Sequence, residues 1–161
     1  MRKIVIIATL LLFSITIFYS IYQKEMLLKN GEIVRLPLAP VDPRSLMQGD
    51  YMVLNYTIAN RIRDYIREEK VFLPKVVITL DKNRVAKFQR VYKNEKLSSD
   101  EMILNFQYTK NLRRVQISTN SYFFQEGDRK RYEKAKFGEF RVDKNGVALL
   151  IRLLDGKLGK L

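Results

Sequence analysis

Residues 4–22, IVIIATLLLFSITIFYSIY, carry no charge, and only Thr9, Ser14, Thr16 and Ser20 interrupt them as small polar groups. Nineteen such residues are close to the ~20 that a helix needs to cross a ~30 Å hydrocarbon core. Beyond them the pattern changes. Residues 23–31 read as a polar continuation that closes at Asn30-Gly31, and EIVRLPL (32–38) reads as a short strand whose Pro37 suits an edge or an end. In DPRSLMQG, Asp42 can cap a helical turn, Pro43 suits its first position, and Gly49 can end it. The strand that follows divides into two faces: Tyr51, Val53 and Asn55 on one, and Met52, Leu54 and Tyr56, the better core face, on the other. Ile58, Ile62, Tyr65 and Ile66 recur at helical spacing through residues 57–70. Three hairpins are expected: one turning at Asp81-Lys82-Asn83, one at Lys110-Asn111 with Met102, Leu104, Phe106 and Tyr108 on one face, and one at Asn145-Gly146. Tyr122–Phe124 reads as a short strand and Gly127–Lys136 as a basic helix.

This pattern predicts an α+β, mainly β domain of about eight antiparallel strands, linked as hairpins and partly covered by two short helices, behind an N-terminal transmembrane helix. The division falls into 1–28, a cytoplasmic tip and anchor, and 29–161, an extracytoplasmic domain. A cleaved signal peptide has a shorter apolar core and a small-x-small site after it. YSIYQKE offers no such pair, so an uncleaved anchor is favoured; a buried core helix is the remaining alternative. Arg2 and Lys3 precede the span, which predicts the N-terminus inside and residues 23–161 outside an inner (cytoplasmic) membrane, crossed once. Lys24 and Lys29 on the other flank oppose that orientation, but a large following domain translocates largely regardless of its charge.

The chain has no cysteine and no histidine, which removes disulfides, His-based catalytic triads and dyads, and the usual zinc sites. Nothing in the sequence points to a cofactor or a metal. Net charge is +13; setting Arg2 and Lys3 aside leaves 28 basic against 17 acidic side chains, or +11. A basic surface attracts anions. Outside the cytoplasm, anionic lipid or an envelope polymer fits better than nucleic acid, and a plain solvated basic face explains the charge equally well.

LDKNRVAKFQRV (80–91) and VDKNGVALLIRL (142–153) share Asp, Lys, Asn, Val, Ala and Arg at a constant offset of 62. A duplicated helix-plus-hairpin unit is one account, and recurrent hairpin chemistry is the other.

GDYMVLNY (49–56) resembles the signature of the bacterial GDYXXLXY protein family at every defined position: Gly49, Asp50, Tyr51, Leu54 and Tyr56. PVDPRSLMQ upstream is similar to the family's lead-in, and RYEKAKFGEFRVDKNGVALL to its closing strand-turn-strand. The resemblance implies a membrane-anchored envelope protein of unassigned biochemistry, accompanying multi-pass membrane proteins in the bacterial membrane. Read residue by residue, Gly49 supplies a positive φ, Asp50 fixes the turn and can pair with Arg44, and Leu54 and Tyr56 enter the core. Arg44, Asp50 and Tyr51 are then the candidate recognition patch.

Two functions compete. The first, preferred here, is an accessory or interaction module for an integral membrane partner, without catalytic residues. The second is an envelope hydrolase. Faint similarity to Ser-Lys signal peptidases would make Ser45 the nucleophile and Lys75 or Lys87 its base. In that family, however, the serine lies further upstream, where Val41 stands here. Asp42 and Asp50 are an alternative carboxylate pair, although both residue types serve caps and turns more often.

Overall fold

In the computed structural model, residues 2–39, 47–48, 51–69, 73–109, 114–125 and 127–161 are described. Helix α1, Arg2–Asn30, runs unbroken from the apolar segment into the polar continuation. It is one helix long and apolar enough to span a membrane, and none of its apolar window is buried against the rest of the chain. That removes the core-helix alternative, since Ile4, Phe13 and Phe18 are all more than half exposed. At the far end Leu27 is buried, and the Arg141 guanidinium donates to the Gly31 carbonyl at 2.8 Å, fixing the exit of the helix onto the domain.

The rest is an α+β domain of antiparallel sheets. Among the described residues the strands are β1 (Glu32–Pro37), β2 (Met47–Gln48), β3 (Tyr51–Val53), β4 (Lys75–Leu80), β5 (Ala86–Val91), β6 (Glu101–Asn105), β7 (Gln107–Thr109), β8 (Arg114–Gln116), β9 (Ser121–Phe123), β10 (Phe137–Val142) and β11 (Ala148–Leu154). The helices are α2 (Thr57–Glu69) and α3 (Arg129–Tyr132). They form three three-stranded sheets, β1-β10-β11, β2-β3-β9 and β5-β4-β6, with β7-β8 as a separate pair. One apolar core joins them. Ile58, Ile62 and Ile66 of α2 meet Val34, Leu36, Val76, Ile78 and Phe140 from the sheets, so the stripe at i, i+4, i+8 is the buried face of that helix.

Three expectations need correction. The second hairpin is broken at Phe106, whose N–H bonds to the Pro74 carbonyl (3.0 Å): β6 joins β4, and only β7 pairs with β8. The basic helix shrinks from residues 127–136 to α3, because only Tyr132 of that segment's four helical residues is buried to hold it. The helical turn expected to end at Gly49 is excluded by Met47 and Gln48, which are extended and paired with Met52 and Tyr51.

The internal echo carries into geometry. Val76↔Val91, Val77↔Arg90, Ile78↔Phe88, Thr79↔Lys87 and Leu80↔Ala86 recur, each 62 residues on, as Gly138↔Leu153, Glu139↔Arg152, Phe140↔Leu150, Arg141↔Leu149 and Val142↔Ala148. The register shift recurs with them, between Val77 and Ile78 and between Glu139 and Phe140. Both turns use the aspartate alike. Asp81 Oδ1 accepts from the N–H groups of Asn83 and Val85, and Asp143 Oδ1 from those of Asn145 and Val147. The positive φ needed to close each loop falls on Arg84 (60°) and on Gly146 (87°), the latter also crowded by Asn105 and Ile103. Asp155 builds the same loop where the echo has no counterpart, so turn chemistry does recur by itself. Turn chemistry does not place a bulge four residues upstream. The preceding helices, 13 and 4 residues long, are not equivalent.

A surface cluster supplies a pH test. Arg90 on β5 binds Glu95 at 2.9 Å and also both carboxylate oxygens of Glu101. The Arg90 hydrogen bond, helped by the Ser98 N–H, holds the Glu101 carboxyl at about 2 against an ordinary 4.5. Glu95 is lowered as well, chiefly by backbone N–H groups. A carboxyl depressed in the folded state stabilises above its unfolded pKa, and that contribution fades as pH falls through the folded value. Urea unfolding of the full-length protein in detergent should therefore lose stability between about pH 4.5 and 2. Glu101→Gln should flatten that loss; an unchanged slope in the variant would contradict the assignment.

Candidate functional site

The signature strand, where described, divides as its alternation predicts. Met52, Leu54 and Tyr56 are each 2% exposed, Tyr51 and Val53 are half-buried, and Asn55 is exposed. β3 is the centre of its small sheet, with β2 on one side and β9 on the other. Where it leaves the sheet its backbone stays bonded: the Leu54 N–H donates to the Asn120 carbonyl and the Asn55 carbonyl accepts from the Ala39 N–H, both at 2.7 Å. Tyr56 bridges to Leu38 and opens α2.

The Tyr56 ring meets Phe140 edge to face, with centroids 5.5 Å apart. Its hydroxyl donates to the Thr119 carbonyl at 3.4 Å, and burial pushes its pKa well above the usual tyrosine value. Gly138 makes room for it: a Cβ there would stand 3.3 Å from the Tyr56 ring and 3.0 Å from that of Phe140. The reading of Leu54 and Tyr56 as core residues therefore holds, with the hydroxyl on a polar partner.

Tyr51 faces the other way. Directly opposite it in register is Phe123 of β9, whose ring lies 5.6 Å away at 42° and is 74% exposed. Phe123 was not among the residues that the sequence singled out. Its exposure depends on a pairing between segments about 70 residues apart, which no local pattern announces. Beside the motif strand lies a pocket of about 180 Å³, lined by Asn55, Asn60, Arg63 and Arg114 among others. Two guanidiniums and two carboxamides there present donors to an oxyanion. Arg63 comes from the solvated face of α2 and Arg114 from β8, again a juxtaposition made by tertiary packing.

Asp42, Arg44, Ser45, Gly49 and Asp50 lie outside the described residues, so neither the Arg44–Asp50 pairing, nor the Asp42–Asp50 carboxylate pair, nor the Ser45 nucleophile is located. The proposed bases are: Lys75 is half-buried at the start of β4, and Lys87 is exposed on β5. A lysine base of this kind needs desolvation, which the exposed position of Lys87 does not favour. Among the described residues the one buried carboxylate is Glu139, already engaged by Arg35 and Arg152. No group of three His, Cys, Asp or Glu among them is placed to hold a metal ion.

The signature strand, the N-terminal helix and the closing hairpin are thus parts of one arrangement. A family model, GDYXXLXY protein, matches residues 13–153, from inside α1 to the penultimate residue of β11. The chain belongs to the GDYXXLXY protein family. No curated protein and no solved structure matches the chain. For a GDYXXLXY protein the two final motif positions are explained by packing, Leu54 in the core and Tyr56 against β10, while Tyr51 is aimed at an exposed aromatic neighbour.

Proposed function

We propose that this GDYXXLXY protein is a single-pass protein of the cytoplasmic membrane, its N-terminus inside, whose outer domain is an accessory module that binds an integral membrane partner. The observation that carries this reading is the Tyr51–Phe123 pair: a motif tyrosine turned away from the core and packed at a tilt against a phenylalanine that is 74% exposed. A large aromatic standing in water beside a second ring is the kind of anchor that dominates protein interfaces. Support for the membrane comes from the uncovered apolar surface of α1, and for the orientation from Arg2 and Lys3 ahead of it.

The test is photo-crosslinking in native membranes with a photoreactive residue at Tyr51 or at Phe123. One discrete adduct with a multi-pass protein is expected from both positions, and none from the same probe at Lys87 on β5. Adducts of equal yield from all three positions, or no adduct at all, would end the interaction reading.

A further inference from the structure

A groove of about 830 Å³ lies where α1 meets the domain. One wall is the outer end of the helix, from Tyr22 to Asn30. The other is made by the start of β6 and the loop between β10 and β11. Its floor is apolar: Met26, Leu27, Met102, Ile103 and Val147 all line it, with Met26 and Val147 39% and 40% exposed.

Its charges are unequal in availability. Glu32 is bound by Arg84 at 3.0 Å, and Glu101 by Arg90. Asp143 spends Oδ1 on two turn N–H groups. Lys24 on the helix and Lys144 on the β10–β11 loop also line the groove, and neither has a charged or hydrogen-bonding partner among the described residues. The groove therefore offers two lysines without an ion-pair partner above an apolar floor, against one carboxylate, Asp143, that is held by neutral N–H groups alone.

Its height is set by the helix. Residues 4–22 at ~1.5 Å each cover ~28 Å, about the thickness of the hydrocarbon core. Lys24 then lies within ~5 Å of the hydrocarbon boundary and Asn30 within ~12 Å, the level of the phospholipid headgroups. The Arg141–Gly31 hydrogen bond and the burial of Leu27 hold the second wall at that level.

We propose that this groove seats one anionic phospholipid of the leaflet around the outer end of α1, its phosphate between Lys24 and Lys144 and its glycerol and first acyl carbons over Met26, Ile103 and Val147. The apolar floor selects a lipid over a free anion, and the lysine pair selects an anionic headgroup over a zwitterionic one. The inference rests on the reading that α1 spans the membrane.

The full-length protein in non-ionic detergent is titrated with phosphatidylglycerol or phosphatidylcholine and the bound lipid is counted by native mass spectrometry. Retention of phosphatidylglycerol should exceed that of phosphatidylcholine by about tenfold or more, since each basic residue near a headgroup adds to the preference. The double variant Lys24→Gln/Lys144→Gln should bring the two within about twofold. Lys29→Gln, on the same helix but outside the groove, should keep the preference. Equal retention of the two lipids by the unmodified protein overturns the proposal. So does an equal loss in Lys29→Gln, which would make the effect general surface charge. Displacement of the lipid by millimolar inorganic phosphate would mark a free-anion site and overturns the lipid assignment. Alkaline carbonate extraction of native membranes separates the two levels. A chain that stays in the pellet without a lipid preference sinks the groove proposal alone, whereas a chain released to the supernatant sinks the membrane reading and the groove with it.

Discussion

Tyr56→Ala is expected to cost about 3–5 kcal/mol of folding stability, the range for deleting a large buried aromatic. The ring is 2% exposed, stands edge to face with Phe140, and fills the space that Gly138 leaves beside it. Collapse around the cavity is restricted on the β10 side, where the close neighbours are Gly138, which has no side chain to move in, and the fully buried Phe140 ring. Tyr56→Phe keeps the ring and loses only a long hydrogen bond to Thr119, so about 0.5–1 kcal/mol is expected. Tyr51→Ala, on the outer face, should cost little stability while abolishing the crosslinked partner. The chain has no tryptophan, so thermal melts of the full-length protein in detergent are followed by circular dichroism. The alanine variant at position 56 should lose on the order of 10 °C or more. A loss at Tyr51 as large as that at Tyr56 would undo the division of the motif into a packing half and a recognition half.

That division was half legible in the sequence, for a physical reason. Alternation along a strand states which residues share a face, and Met52, Leu54 and Tyr56 share the buried one. It does not state which strand lies alongside. The run from Met102 to Tyr108 keeps its alternation across Phe106, yet β6 pairs with β4 and β7 with β8. The Asp-Lys-Asn turns were readable because their hydrogen bonds close within five residues. Three pairings were not: β1 with β10, β6 with β4, and β3 with β9 all join segments that local pattern leaves unrelated. Phe123 owes its place to one of these pairings, and the Arg63–Arg114 pocket and the groove against α1 come from helix packing that is equally non-local. The features on which the proposed binding rests are thus the ones that periodicity could not supply.

The same non-local order is held by a charge ladder, and removing its centre should be the second large effect. Arg35 of β1, Glu139 of β10 and Arg152 of β11 stand side by side in register. Glu139 Oε2 accepts from Arg35 at 3.1 Å, and Oε1 lies 3.2 Å from Arg152 Nε. Arg35 also reaches out of its own sheet: its Nη1 donates to the Asn83 carbonyl and its backbone N–H to that of Arg84, both at 2.8 Å. The carboxylate therefore orients the side chain that ties the closing sheet to the turn of the other hairpin. Removing one member of a buried pair leaves its partners uncompensated, at a cost of about 3–5 kcal/mol when all are dry. The two arginine side chains here are 23% and 35% exposed and can turn toward water, which lowers the expectation for Glu139→Ala to about 2–4 kcal/mol. Glu139→Gln keeps the shape and loses the charge, and should recover about 0.5–1.5 kcal/mol of that loss through its remaining acceptor. Amide exchange should then quicken at residues 83–85 as well as along β1, because the tether between the sheets depends on the same guanidinium. Exchange confined to β1, with the 83–85 turn still protected, would show that Arg35 holds the two sheets together without help from Glu139.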